Sequence, residues 1–186
     1  QLFFSIPIMF GMLTVYDKLV PWFFGEKFSY ITQIIPYFTV LIVIVPLGMA
    51  ISRQYLMPIG QVKEYNRSVI IGAIINLVAN LILLPSIGFL GVVFSTILAE
   101  SFVTVVRTRS FLKQTTFTFS LRKIGMFIIA GLIMCLITRF LTGHLTSNIR
   151  TNLIQFVIAC PIYLAITTIT KVNPLVDLLR IKKKIK

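Results

Sequence analysis

Amide side chains interrupt one long apolar segment of the chain at a regular spacing. Asn76 and Asn80 follow Gly72 at intervals of four residues, so all three lie on one face of a helix otherwise built of Ile, Leu, Val and Ala. An amide in hydrocarbon without a hydrogen-bond partner costs several kcal/mol, so this face must contact another helix or a water-filled cavity. The amides therefore either bond to a neighbouring helix or line the path of a polar substrate.

Two charged residues could act on a ligand within or beside the apolar segments. Glu100 has no basic residue within several positions, and a carboxylate inside a membrane segment is a candidate functional group because its ionised form is costly there. Near mid-membrane it would serve as a proton or cation site or pair with Arg53, whereas nearer the cytoplasm it would only snorkel. Arg53 ends a long charge-free segment, where it either binds a phosphate or anchors the helix end.

The groups from which most active sites are built do not occur in a usable arrangement. His144 is the one histidine and has no acid near it, and the two cysteines are isolated in separate apolar segments. The remaining acidic residues fall at predicted helix ends or in loops, close to basic residues: Asp17, Glu26, Glu64 and Asp177. The sequence therefore predicts that the chain is not an enzyme and that it binds no metal or organic cofactor.

The composition indicates an integral membrane protein. Of the 186 residues, 57% are hydrophobic and 12% are charged, whereas a soluble domain averages about 45–50% apolar and about 25% charged residues. The formal net charge of +13 would indicate nucleic-acid binding in a polar protein. Here the basic residues lie between and after apolar segments, where they orient helices and contact anionic lipids, so nucleic acid is not expected as a partner.

The apolar segments predict six membrane helices. Each is near the length of about 20 residues that spans a bilayer. The long segment 68–99 is divided into a helical hairpin by a turn at 85–88, and two prolines, Pro36 and Pro46, predict kinks in the second helix. We therefore predict an all-α, polytopic transmembrane helix bundle over residues 1–171, with helices at about 2–20, 29–52, 67–84, 90–106, 123–141 and 152–170.

The placement of the basic residues predicts the orientation of these helices. Four lie in loops on one side of the membrane, namely Lys18, Lys27, Arg139 and Arg150, and the other fourteen of the eighteen lie on the opposite side or in the tail. Because Lys and Arg concentrate in cytoplasmic loops, both ends of the chain are predicted to be cytoplasmic. Residues 172–186 form a basic tail, either an amphipathic helix on the anionic inner leaflet or a disordered segment.

The order of several motifs identifies a family resemblance. The most specific one is the pair of asparagines four residues apart, followed by Leu-Pro-x-x-Gly-x-x-Gly and then Thr-x-x-Ala-Glu. The others are Pro7 in an apolar helix, Phe24-Gly25-Glu26-Lys27-Phe28 and Gly60-Gln61-Val62-Lys63. Over about residues 5–100, this succession resembles the carboxyl half of bacterial polysaccharide repeat-unit flippases. These Wzx-like oligosaccharide flippases belong to the multidrug/oligosaccharidyl-lipid/polysaccharide exporter superfamily.

The resemblance implies one lobe of a two-lobed flippase plus two C-terminal helices. It implies a substrate in which an oligosaccharide is linked through diphosphate to a polyprenol and moved across the bacterial cytoplasmic membrane for capsule, O-antigen or exopolysaccharide synthesis. Transport would be driven by an ion, H⁺ or Na⁺, without a cofactor. On this basis Arg53, Asn76, Asn80 and Glu100 are predicted to line the substrate path.

The family builds its cavity from at least twelve spans, so the six predicted here are expected to be a fragment. Its partners would be the missing N-terminal half or a second chain, membrane lipids and a polysaccharide polymerase, and alone it is not expected to flip lipid. Two alternatives are another member of the superfamily, either a multidrug/cation antiporter or a lipid II flippase, and a membrane-embedded glycan polymerase. The antiporter would need acidic residues deep in the bundle, and the polymerase would need catalytic residues in a large outer loop. A structural membrane anchor is a third alternative.

Overall fold

The computed structural model describes residues 1–176, except for the side chain of Glu26, and contains helices but no β-strand in that part of the chain. The α-helices are α1 (Leu2–Phe24), α2 (Ile31–Phe38), α3 (Leu41–Ile51), α4 (Val62–Ile87), α5 (Phe89–Gln114), α6 (Leu121–Thr142) and α7 (Ile149–Ile169). Six segments are long and apolar enough to cross a membrane, the second of them being Ile31–Leu56. The predicted all-α fold with six spans is confirmed, and the chain is a multi-pass membrane protein.

The second span is interrupted, as its prolines predict. It consists of α2, a tight turn at 39–40, α3 and a π-helix at Ser52–Leu56 that ends the span. The Thr39 hydroxyl donates to the Pro36 carbonyl (2.7 Å), which compensates one backbone acceptor at the break.

The third and fourth spans form the predicted hairpin, but with a shorter turn. We expected a turn at 85–88, whereas α4 continues through Pro85 to Ile87 and the chain reverses at Gly88 alone. Gly88 has φ +62° and ψ −142°, a conformation that residues with a Cβ rarely adopt. Pro85 is tolerated because the missing N–H removes one hydrogen bond near the end of the helix without ending it.

The helices divide into two units. One comprises residues 34–118 with Gln1 and contains α3, α4 and α5, while the other contains α1, α6 and α7. In the first unit α4 and α5 pack antiparallel in one register, because each contacting residue lies about as far before Gly88 as its partner lies after it. The contacts, from the open end to the turn, are Gln61 with Gln114, Ser68 with Arg107, Gly72 with Val103, and Leu83 with Gly91.

In the second unit, charged side chains connect α1 to α6. The charge count had assigned Lys18 and Arg139 to loops, although both fall within the predicted helices 2–20 and 123–141, and the structure places them inside α1 and α6. Arg139 pairs with Asp17 (3.0 Å) and also donates to the Leu13 carbonyl (2.8 Å). Lys18 is only 8% exposed, and its ammonium donates to the carbonyls of Thr142 (2.9 Å), Gly143 (3.1 Å) and Leu145. Lys18 thus satisfies carbonyls that the end of α6 leaves without intrahelical partners.

Replacing Lys18 by methionine should destabilise this unit. The substitution keeps the packing volume but leaves the carbonyls at the end of α6 without a buried donor, at a cost of about 2–4 kcal/mol. Thermal unfolding of the purified protein in detergent would show a midpoint several degrees lower. Lys27→Met, at an exposed lysine, is the matched control, and equal midpoints for the two variants would contradict the role given to Lys18.

The predicted tail helix lies mostly outside the described residues. Where the tail begins, Asn173 Oδ1 accepts a hydrogen bond from the Leu175 N–H (3.0 Å), an arrangement typical of a helix N-cap. Residues 177–186, on which the interfacial-helix prediction rests, are not described.

Candidate functional site

A groove of about 500 Å³ lies between α3, α4 and α5 in the first unit. Its walls are largely apolar and include Val45, Met49 and Val103, but four polar side chains also line it. These are Asn76 and Asn80 from α4, and Glu100 and Arg107 from α5. Sites for small molecules have this character, with apolar walls and a few polar groups that fix the ligand's orientation.

Small residues on α4 make room for the groove. Gly72 contacts Val103 so closely that a Cβ at this position would overlap the valine side chain. Ala73 and Gly72 both line the groove without filling it. The small residues therefore bring the two helices together at one level and leave space beside the asparagines one turn further along α4.

The two asparagines bond to each other and not to another helix. Asn80 Nδ2 donates to the side-chain Oδ1 of Asn76 (2.9 Å) and to its backbone carbonyl (2.9 Å). Asn80 Oδ1 is buried and accepts no hydrogen bond from the described residues. No hydrogen bond within residues 1–176 joins either amide to α3 or α5, so the amides retain bonding capacity toward the groove.

Glu100 lies near the middle of α5. It is 11 residues after Phe89 and 14 before Gln114, so it lies close to mid-span if α5 crosses the membrane. The carboxylate makes no hydrogen bond or ion pair with any residue that the structure describes. A half-buried carboxylate that lines a groove and has no protein partner is positioned to bind a ligand hydroxyl, a cation or a proton.

Arg107 lies two turns after Glu100 on the same face of α5 and was not among the predicted site residues. It is 5% exposed, its Nε donates to Ser68 Oγ (2.9 Å), and its guanidinium lies 5.0 Å from the centre of the Tyr65 ring. Nη1 contacts Met49 Sδ (3.9 Å), and Nη2 has no hydrogen-bond acceptor in the described part of the chain. The guanidinium is thus held in place by Nε and the aromatic ring, Nη1 has only the weak thioether acceptor, and Nη2 remains available.

The fourth predicted residue, Arg53, lies elsewhere. Its side chain is exposed in the π-helix after α3 and does not line the groove. The structure therefore brings together Asn76, Asn80 and Glu100 and adds Arg107. Within the described residues no group of three or more His, Cys, Asp or Glu side chains could hold a metal ion.

Comparisons with known proteins give two similar flippases. No protein-family model matches the chain. The chain is 27% identical over 129 residues to a probable low-salt glycan biosynthesis flippase, Agl15, of Haloferax volcanii, which covers 69% of this chain and 27% of that protein. It is also similar to the structure of the lipid II flippase MurJ in an inward closed conformation, with a TM-score of 0.77 and 24% identity over 91% of this chain and 36% of that one.

The chain thus spans about a third or less of the length of either protein. Both similar proteins are flippases, which are transporters and not enzymes. The structural likeness confirms the fold, that of part of a lipid II flippase. The resemblance that the sequence motifs predict, to the superfamily of multidrug, oligosaccharidyl-lipid and polysaccharide exporters, is therefore supported both by a curated flippase and by a flippase fold.

Proposed function

We propose that the chain is part of a flippase that moves polyprenyl-diphosphate-linked oligosaccharide repeat units across the bacterial cytoplasmic membrane. The observation that carries this proposal is the groove in which Asn76, Asn80, Glu100 and Arg107 face a cavity between apolar walls. The Glu100 carboxylate and Asn80 Oδ1 bond to no described residue, and such groups within a membrane span are costly unless they bond to water or a polar cargo. The similarity to two flippases makes a lipid-linked glycan the best-supported cargo.

In this mechanism the glycan head passes through the polar groove while the polyprenyl tail stays in lipid. Hydroxyl groups of the head exchange bonds to water for bonds to the Asn76 and Asn80 amides and the Glu100 carboxylate. No covalent bond changes, so the residues act by binding and orientation. Arg53, at the end of the second span, receives the head at the cytoplasmic surface through its exposed guanidinium.

Transport by this proposal requires more spans than this chain contains. The match covers only 27% and 36% of the two similar flippases, and a groove on one side of three helices becomes a closed path only when further helices cover it. We therefore infer a partner lobe, in the same or another polypeptide, with both ends of the present chain cytoplasmic and H⁺ or Na⁺ as the coupling ion. The product would enter capsule, O-antigen or exopolysaccharide synthesis.

Genetic complementation tests this function. The complete gene that contains this chain, together with the gene for the partner lobe if that lobe is a separate polypeptide, would be expressed in a bacterial strain that lacks its own repeat-unit flippase and retains the matching glycan pathway. We expect surface polysaccharide to be restored and lipid-linked repeat units to stop accumulating in the inner leaflet. Continued accumulation at normal protein levels would refute the proposal.

Alanine at Asn80 should weaken transport without preventing folding. The substitution removes the buried Oδ1 that no described residue satisfies and two bonds that lie within α4. Because neutral hydrogen bonds contribute about 0.5–1.5 kcal/mol, we expect surface polysaccharide to fall about twofold to tenfold. Asn66→Ala, at an exposed asparagine in the first turns of α4, is the control. If both variants restored surface polysaccharide to the same level, Asn80 would not contribute to the substrate path.

A second candidate function is lipid II transport, favoured by the structural similarity to MurJ at a TM-score of 0.77. Its substrate also carries a diphosphate and sugars on a polyprenol, so the same groove would serve. Rescue of a strain depleted of its lipid II flippase, without rescue of the strain that lacks a repeat-unit flippase, would identify this function.

A further inference from the structure

The two opposite charges in the groove of the first unit face each other without forming an ion pair. Glu100 and Arg107 interact electrostatically, yet their charged atoms lie more than 4.0 Å apart. They are seven residues apart on one helix face, about 10 Å along the axis. The side chain that lines the groove between them on α5 is the apolar Val103, which offers neither charge a hydrogen bond, so both charges keep hydrogen-bonding capacity toward the groove.

A ligand that satisfies both groups needs two kinds of chemistry. The Arg107 guanidinium presents terminal donors of fixed geometry, which match a phosphate oxygen, and its Nε is already committed to Ser68. The Glu100 carboxylate accepts hydrogen bonds only, so it repels a second anionic group and favours hydroxyl donors. Asn76 and Asn80 beside it supply both amide donors and acceptors, which suit the mixed hydroxyl pattern of a sugar.

We infer that the groove binds a phosphate ester and the adjacent sugar at two separate points, the phosphate on Arg107 and sugar hydroxyls on Glu100 with its neighbouring asparagines. This inference rests on the proposed function and assigns the parts of its substrate to residues. The volume of about 500 Å³ lies within the range of about 300–1,000 Å³ typical of small-molecule sites. Arg107 thereby becomes the residue that binds the diphosphate, and Glu100 the residue that distinguishes a glycosylated from a bare diphosphate.

A phospholipid such as phosphatidylglycerol offers related chemistry, because it also has a phosphate ester flanked by hydroxyls. The test therefore compares three lipids added to the purified complete protein, with its partner lobe, in detergent. They are a polyprenyl diphosphate that carries N-acetylglucosamine, the same polyprenyl diphosphate without sugar, and phosphatidylglycerol. Native mass spectrometry measures the fraction of protein bound to each lipid.

The variants separate the two binding points. Arg107→Gln should lower the affinity for both polyprenyl diphosphates about tenfold to a hundredfold, since it removes a charge-assisted bond to phosphate. Arg109→Gln removes the same charge from the same helix at an exposed site and should change neither. Glu100→Gln should lower the affinity for the glycosylated lipid about fivefold to tenfold and leave the bare diphosphate at least as tightly bound.

The Glu100 variant keeps the inference testable even if Arg107→Gln fails to fold, because Glu100 bonds to no described residue. Equal effects of Arg107→Gln and Arg109→Gln would overturn the phosphate assignment. Equal effects of Glu100→Gln on both diphosphates, or binding of phosphatidylglycerol as tight as that of the glycosylated lipid, would overturn the sugar assignment. In either case, restored surface polysaccharide in the complementation strain would still support the flippase function, so failure of this inference can be distinguished from failure of the proposed function.

Discussion

Replacing Arg107 by glutamine is expected to reduce surface polysaccharide about tenfold to a hundredfold in the complementation strain, with the protein still present in the membrane. The guanidinium is buried, and it is oriented by Ser68 and the Tyr65 ring. Glutamine can replace part of the hydrogen bonding but not the positive charge, and a charged bond to phosphate contributes more than a neutral one. Quantitative immunoblotting of polysaccharide and protein measures the effect.

Two further variants test whether the effect of Arg107→Gln depends on the forked guanidinium and on its position in the groove. Arg107→Lys keeps the charge but loses the forked donor geometry, so we expect an intermediate level of polysaccharide. Arg109→Gln, two residues along α5 and exposed, should match the wild type. If Arg107→Gln supported full transport, the guanidinium would have only a structural role, and the assignment of an anion-binding site to the groove would be wrong.

In the first unit, a substitution beside the turn of the α4–α5 hairpin is expected to impair folding. A Cβ at Gly91 would overlap the backbone of Leu83 and Leu84, which cannot rotate away as a side chain could. Gly91→Ala should therefore destabilise the protein by about 1–3 kcal/mol, even though alanine is the better helix former. Thermal unfolding in detergent, followed by loss of monodisperse protein, would show the lower midpoint.

Gly125→Ala is the matched control for this prediction. Gly125 also lies in a helix, but apart from its chain neighbours and the adjacent backbone of that helix, no described atom lies within 4 Å of a Cβ built there. Alanine should consequently leave the midpoint unchanged or raise it slightly. A midpoint for Gly91→Ala equal to that of Gly125→Ala would mean that the hairpin does not pack as closely at its turn as the structure shows.

The helical spans could be predicted from the sequence because length and apolar composition alone determine them. The residues at which these helices end could not be predicted in the same way, because contacts made by side chains near a helix end determine where it stops. The first helix was expected to end near residue 20, yet α1 continues to Phe24. Lys18, which was counted with the following loop because of its charge, is instead buried, because the carbonyls at the end of α6 accept hydrogen bonds from its ammonium group. Pro85 was expected to begin a turn, but α4 continues past it to Ile87, and within residues 85–88 the positive φ that reverses the chain occurs at Gly88.

The residues of the candidate site could be predicted only in part from the sequence. The four-residue spacing of Asn76 and Asn80 placed them on one face, and the structure directs that face to a groove. Arg107 was missed because the fourth span was predicted to end at 106, which made the arginine a charge at a helix end. Extending α5 to Gln114 reveals the signal, a seven-residue spacing that places Arg107 and Glu100 on the same face. The sequence favoured Arg53 as a site residue, and its position outside the groove could be recognised only from the folded helix.

Site-specific photocrosslinking tests most directly whether the groove carries a lipid-linked glycan. A photoreactive phenylalanine analogue would be introduced in cells at Ala73, which lines the groove, and separately at Val78, which is 50% exposed on the far side of α4. After irradiation of cells whose glycan is radiolabelled, we predict labelled protein from position 73 and not from position 78. Equal labelling at the two positions, or labelling at 78 alone, would contradict a substrate path through the groove.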